Sequence, residues 1–191
     1  MDRYELRSAR YLAAEIRAKV ILPGDTVIDA TVGNGHDTCD LARLVGERGH
    51  VYGFDIQEQA ISSAQRKLQE QGLSDRCTLI HDSHAHISQY VHEPVSAVVF
   101  NLGWLPGGDK SITTVWDSTF EALKQALTLL LPGGVCTVCA YPGHEAGNHE
   151  REQLSLFLAE LSNREYNVLH QRFINASQGS PECYAVQKQF Q

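Results

Sequence analysis

The run SAVVF ends at Asn101 and is followed by Leu102, Gly103, Trp104, a Pro-Gly-Gly turn and Lys110, in the stretch FNLGWLPGGDKSITT. A loop that only reverses the chain would be polar, whereas this one offers an amide, an indole and an amine in ten residues. Those types suit a reaction at nitrogen. A nucleophilic amine has to be held with its lone pair forward, so an amide oxygen can accept its hydrogens while an aromatic face stacks on the ring that carries it. Asn101 is the candidate acceptor, and Trp104 and Lys110 are the candidate substrate contacts. A second stretch, YPGHEAGNHE, adds Tyr141 and His144; His144 is a candidate proton acceptor because histidine changes charge near neutral pH.

A second group of residues suggests a nucleotide-like cofactor. VIDATVGNGHDT places Gly33 and Gly35 between an apolar run and a helical pattern. Glycines let a loop approach a ligand, and the free N–H groups of a helix start can hold an anion. The expected cofactor loop runs from Thr31 through Gly33 and Gly35 to Thr38, with Asp29 just before it. Asp55, at the end of the next apolar run, is placed to accept from ribose hydroxyls. Both NAD and S-adenosylmethionine fit that pattern. Asp29 favours the methyl donor, because an acid there would repel a pyrophosphate but suits the ammonium of a methionine moiety. HDSHAHI then brings Asp82, Ser83 and His84 to the expected adenine end. No metal is expected at His81, His84 and His86, since side chains diverge where a strand passes into a helix. Cys136 and Cys139, three apart on a strand, face opposite ways and are expected in the core.

The elements that must position these groups alternate. The pattern predicts a helix over residues 4–21, then strands over 26–31, 50–55, 77–82, 96–101 and 134–142. Helices are expected over 37–45, 57–71, near 83–91, and over 113–130 and 148–162. Successive βα units imply a parallel sheet. Two last strands, 166–176 and 181–190, have no helix between them and are joined by the turn Ser177-Gln178-Gly179-Ser180, so they form an antiparallel hairpin. The expectation is a single α/β domain over residues 1–191: a class I methyltransferase fold of Rossmann-like type, with a seven-stranded mostly parallel sheet, a C-terminal antiparallel hairpin and an extra N-terminal helix.

Composition bounds the rest. With 191 residues, 42% of them hydrophobic, the chain can bury a sizeable core. Its five cysteines are an odd number scattered through apolar runs, and its N-terminus is charged, which points to a reduced cytoplasmic setting. No apolar run approaches the roughly 20 residues that span a bilayer. The net charge of −7 leaves no global field for polyanions, so nucleic acid would have to meet a local patch. Arg3, Arg7, Arg10, Arg17 and Lys19 are one candidate, although the solvated face of a helix is the simpler reading.

DATVGNGHDT, NLGWLPGGDKSITT and YPGHEAGNHE, with Asn175 and Lys188, resemble the MnmM family of tRNA wobble-uridine methyltransferases over nearly the whole chain. The resemblance implies S-adenosylmethionine as methyl donor, with S-adenosylhomocysteine as product. It also implies methylation of 5-aminomethyl-2-thiouridine at position 34 of the tRNA anticodon stem-loop, and a homodimer. By matching position it implies a cofactor site that includes Asn34, Asp37, Asp55, Gln57, Ser83 and His84, and a substrate side of Asn101, Trp104, Tyr141 and His144. Trp104 stands where the family usually has Tyr, which keeps a stacking face but removes a phenol; His149 stands where a charged residue is more common. An N-methyltransferase acting on rRNA or on a small amine is the alternative, and an NAD-dependent oxidoreductase is a further one.

Overall fold

The computed structural model describes residues 8–177 and 179–190. Arg3 and Arg7 of the candidate basic patch, the first four residues of the expected N-terminal helix, and Gln178 of the expected hairpin turn lie outside the described residues. Helix α1 spans Ala9–Val20 and is capped by the Ser8 hydroxyl, which accepts from the Tyr11 amide. Then follow β1 (Thr26–Asp29), α2 (His36–Val45), β2 (His50–Asp55), α3 (Glu58–Glu70), β3 (Cys77–His81), a single 3-10 turn, α4 (Ile87–Tyr90) and β4 (Val95–Asn101). The second half holds α5 (Trp116–Leu129), β5 (Leu130–Ala140), α6 (Glu145–Ala159), β6 (Tyr166–Gln171) and β7 (Glu182–Lys188).

The seven strands form one sheet in the order β3-β2-β1-β4-β5-β7-β6. All pairings are parallel except those of β7, which runs antiparallel to both β5 and β6. The strands alternate between two apolar layers. Ile28, Phe54, Val98 and Phe100 pack with α5 and α6, whereas Val27, Val51, Ala97 and Val99 pack with α2 and Leu68 of α3. Cys136 and Cys139 follow the same alternation and lie in different clusters. Helix α1 is held against β5 and β7 by small residues, with Ala9 and Ala13 on Cys139 and Cys183.

Several boundaries differ from the sequence reading, among them the following three. Strand β6 stops at Gln171, short of the expected 176, and β5 begins at Leu130, ahead of Pro132-Gly133-Gly134. The third difference bears on the site. Helix α6 starts at Glu145, not 148, because His144 caps it: the ring Nδ1 accepts from the Gly147 amide at 3.2 Å. Gly147 permits this, since a Cβ there would stand 2.6 Å from the His144 ring.

All the β-to-α connections carrying candidate site residues leave the C-terminal edge of the parallel strands. The first is fixed by Gly35, the N-cap of α2, which has φ of +73°. A Cβ there would stand 2.8 Å from Ala64 of α3. Gly35→Ala combines left-handed strain with overpacking, each about 1–2 kcal/mol. It should therefore lower unfolding free energy by about 2–4 kcal/mol in a urea titration; an unchanged midpoint would mean that α2 and α3 are not in this contact.

Candidate active site

The C-terminal edge of the sheet opens into a cavity of about 370 Å³. Its cofactor side is built from backbone. Asp55, ending β2, accepts from the Gly33 amide at 2.8 Å and from the Gln57 amide at 2.9 Å, one bond to each oxygen. A carboxylate has about four acceptor positions, so Asp55 holds the glycine loop and retains capacity for two hydroxyls. Ile56 beside it is 55% exposed, an apolar flank on the cavity wall.

His84 forms part of the floor. Its Nδ1 lies 3.0 Å from the carbonyl of Ala30, and a carbonyl only accepts, so Nδ1 carries the proton. Burial lowers the imidazole pKa, which keeps Nε2 unprotonated. That nitrogen is buried, has no partner and belongs to a cavity-lining residue. It is an acceptor in search of an N–H or O–H. The neighbouring histidines part ways: His81 bonds the carbonyl of Ile56 and His86 bonds Asp82. Among the described residues no group of three or more metal-ligating side chains converges.

The substrate side is the loop from Leu102 to Val115. An isolated bridge pairs Trp104 with Thr113, and the Gly103 amide donates to the Thr114 hydroxyl. Glu150 of α6 clamps this loop, accepting from Thr114 and from Thr119 of α5 at 2.6 Å each. Trp104 lies 4.4 Å, centroid to centroid, from the ring of His144. With Nδ1 engaged by Gly147 and Nε2 buried without a partner, His144 caps a helix and supports Trp104. It cannot take a proton at Nδ1 without releasing the cap. Tyr141 lines the cavity, and burial pushes its phenol up to about 12, so it remains protonated at neutral pH.

Where the two sides meet, Asp37 in the first turn of α2 is buried among donors. Arg10 reaches it at 2.8 Å, Arg17 at 3.3 Å, and the Asn101 Nδ2 donates to it at 2.8 Å. The guanidiniums and this amide hold the Asp37 carboxyl below its ordinary value despite its burial. Asn101 Oδ1 is buried without a partner, and the Asn101 amide N–H is bound by Thr31.

Of the expected cofactor residues, Thr31, Gly33, Asn34, Asp37, Asp55, Gln57, Ser83 and His84 line the cavity; so do Asn101, Trp104, Tyr141 and His144. Five expected residues do not. Asp29 is fully buried behind the loop, where it accepts from Thr38 and from the Thr31 amide and so braces the loop. Thr38 is buried with it, and Gly35 faces α3. Asp82 turns to Ser83, His86 and Tyr90. Lys110 lies outside the wall, 5.4 Å over the Trp104 ring. Two arginines correct the reading of α1 as a solvated face: Arg17 is 2% exposed and Arg10 lines the cavity. The signal was present, since Arg17 continues the Ala9, Ala13 spacing of the helix's buried stripe. Glu150 carried no such signal.

A sheet of this order with β7 antiparallel, a glycine loop after β1 and a carboxylate ending β2 define the class I methyltransferase fold. Within that class, a family model described as "Putative rRNA methylase" matches residues 51–187, and the chain belongs to that family. It is 42% identical over 79% of its length to the "tRNA (mnm(5)s(2)U34)-methyltransferase, chloroplastic" of Arabidopsis thaliana, and spans 59% of that protein's length. A crystal structure of a "putative rRNA-methylase" from Clostridium thermocellum superposes with a TM-score of 0.94 at 42% identity, covering 95% of this chain and 98% of the other. A "putative methyltransferase" from Streptococcus mutans, in complex with SAH, gives 0.88 at 32% identity with the same coverages. A ribosomal RNA small subunit methyltransferase from Streptococcus equi is 30% identical over 44% of the chain and 28% of its own length.

The position of Asp29 generates a pH prediction. Burial, and then the charge of Asp37, raise its pKa to about 7. The folded carboxyl therefore keeps its proton to about pH 7, whereas the unfolded one ionises near 4. Stability declines as pH rises through that interval and is level above it. Asp29→Asn removes the ionisation, so relative to wild type it should gain on the order of 2 kcal/mol between pH 5 and pH 8. Urea midpoints at the two pH values measure this, and a difference that does not change with pH would mean that Asp29 is already ionised in the fold.

Proposed function

We propose that the chain, acting as a single domain, is an S-adenosylmethionine-dependent methyltransferase for tRNA. It converts 5-aminomethyl-2-thiouridine at wobble position 34 into the 5-methylaminomethyl form, releasing S-adenosylhomocysteine. The observation that carries this reading is Asn101 Oδ1, an unpartnered buried acceptor on a cavity-lining residue that shares the wall with an indole. The name of the Arabidopsis relative supports the same substrate, and family membership supports methyl transfer to RNA. The rRNA alternative rests on the wording of the family description and on a shorter likeness to a ribosomal RNA methyltransferase.

The residues fit the cofactor. Asp55 has free acceptor positions for two ribose hydroxyls, His84 Nε2 is an unfilled acceptor, Ile56 offers an apolar flank, and Ser83 and Gln57 complete the edge. Bound S-adenosylmethionine supplies an electrophilic methyl group on a cationic sulfur. The remaining work falls to the chain. Trp104 stacks on the uracil ring, and Asn101 Oδ1 accepts one hydrogen of the amine and so aims its lone pair. An alkylammonium with a pKa near 10.4 must first lose a proton, at a cost of roughly 4–5 kcal/mol at pH 7. The wall from Leu102 to Val115 reduces that cost, because none of its cavity-lining residues is ionisable, and desolvation disfavours the cationic form. Tyr141 stays a phenol and His144 stays a cap, so the proton leaves through solvent.

The anticodon stem-loop is the proposed partner, met at the same edge by Arg10, Lys110 and the exposed Arg172 that follows β6. A cytoplasmic location is in keeping with cysteines that are all free; among the described residues no helix is long and apolar enough to cross a membrane. The homodimer implied by the family is likewise proposed, and light scattering of the purified chain measures it.

Single-turnover transfer to tRNA carrying 5-aminomethyl-2-thiouridine tests the reading. The rate should rise with pH up to the pKa of the bound amine. Asn101→Ala should lose at least tenfold in rate with little change in cofactor affinity, and Trp104→Phe should be tolerated where Trp104→Ala weakens tRNA binding. Full activity of Asn101→Ala would remove the asparagine from the mechanism. For the cofactor, Asp55→Ala should weaken S-adenosylhomocysteine binding at least tenfold by calorimetry, since hydrogen bonds to a charged acceptor contribute about 1.5–3 kcal/mol each; unchanged affinity would place the ribose elsewhere.

A further inference from the structure

Asn101 can present either end of its amide to a substrate, and the two ends have opposite effects. Its oxygen would draw in the N–H of an amine; its NH2 would meet that N–H donor to donor. Nothing within the asparagine decides between them. Asp37 does. An ionised carboxylate only accepts, so the amide end 2.8 Å from Asp37 Oδ2 has to be the NH2, and the oxygen of this cavity-lining residue is left buried and unpartnered. The Asn101 amide N–H is held by Thr31 at 2.7 Å, which leaves the side chain with the amide flip as its main freedom. We propose that Asp37 is a positioning residue that sets the hydrogen-bonding polarity of Asn101, and that helix α1 takes part in the site through Arg10 and Arg17. The inference rests on the amine-methylating reading, and it assigns Asp37 to the substrate side of the cavity, not to the cofactor.

The arrangement around Asp37 predicts what happens when its charge is removed. Oδ1 is the main acceptor of the guanidiniums, taking Arg10 Nη2 at 2.8 Å and Nε at 3.2 Å with Arg17 at 3.3 Å, while Oδ2 accepts from Asn101 at 2.8 Å and, more weakly, from Arg10 Nε at 3.3 Å. In Asp37→Asn only one oxygen remains, and two guanidiniums claim it. The new NH2 then faces Asn101, whose amide must flip to accept from it and so turns its own NH2 toward the substrate. The acceptor becomes a donor with no change in volume. A carboxylate at 101 has no wrong end, so Asn101→Asp in the Asp37→Asn background accepts from the new amide and restores an acceptor to the cavity. In the wild-type background the same Asn101→Asp change opposes two carboxylates about 3 Å apart, which cannot both ionise.

The exchange of the two residues is therefore the test, made on the full chain. Single-turnover methyl transfer to the aminomethyl-uridine tRNA should fall at least tenfold in Asp37→Asn and recover to within about threefold of wild type in the double variant. Affinity for S-adenosylhomocysteine should stay within about threefold in Asp37→Asn. Wild-type rate in Asp37→Asn would overturn the proposal, as would failure of the double variant to recover while it still folds and binds S-adenosylhomocysteine. A readout that needs no activity separates this inference from the functional reading. The side-chain NH2 protons of Asn101, assigned by their loss in Asn101→Asp, should exchange slowly with solvent in wild type and at least tenfold faster in Asp37→Asn. If wild type transfers no methyl group to the tRNA, the functional reading fails and the exchange rates still decide the role of Asp37; equal rates in the two proteins would refute it.

Discussion

A buried carboxylate with three donors around it holds the site together. Asp37 belongs to α2, Arg10 and Arg17 to α1, and Asn101 to the end of β4. Removing one partner from such a cluster leaves another uncompensated in a region of low dielectric, which typically costs several kcal/mol. The three elements are thus locked at one point, although α1 and β4 are far apart in sequence. The apolar face of α1 adds Ala9 and Ala13 against two cysteines, with Ile16 and Val20 against the core beside α2. The charge that anchors the N-terminal helix is the charge that orients the amide at the end of β4.

Around that point, acidic residues do different work according to their burial. Asp55 is half-exposed, holds two backbone amides and has capacity to spare. Asp29, one strand away, is sealed behind the same loop with a hydroxyl and an amide, and burial favours its protonated form. One carboxylate lines the cavity and one braces the loop from behind. Both are aspartates ending strands, and only packing separates their roles.

This is also why the sequence yielded the fold more fully than the site. Strand order and the terminal hairpin followed from alternation of apolar runs and from the missing helix before β7, signals that depend on backbone geometry alone. Asp55, Asn101 and Trp104 could be located because strand ends in a parallel sheet share one edge. Asp29 was expected at the ligand by the same rule, and the rule is blind to depth: the loop folds over it. Arg17 was taken for a surface residue because arginine usually is one, although its place on the Ala9, Ala13 stripe pointed inward. His144 was placed in a loop because the signal that starts α6 is a ring nitrogen accepting from Gly147, and histidine is not among the common capping residues. Glu150 could not be found at all, since its partners Thr114 and Thr119 lie more than thirty positions away.

The two halves of the cavity are therefore built by different means. On the cofactor side, Gly33 and Gln57 are held through their amides, Thr31 through a hydrogen bond to its amide, and His84 by a backbone carbonyl; these contacts depend on chain path more than on side-chain identity at the loop positions. On the substrate side the loop is held by side chains, with Thr114 and Thr119 on Glu150 and the indole of Trp104 on the His144 cap. Burial raises the pKa of Glu150, and two hydroxyl donors partly oppose that shift, so the clamp requires hydroxyls at those two positions. Substitutions among Leu102–Val115 can reshape the substrate wall while β1, β2 and the glycine loop stay as they are. The two halves are joined by the Asp37–Asn101 contact, by the Asn101 amide N–H donating to the Thr31 hydroxyl, and by a hydrogen bond from the Asn34 side chain to the carbonyl of Pro106. The first of these fixes the polarity of the group offered to the substrate, so that polarity is tied to α1 and α2 even where the substrate wall changes.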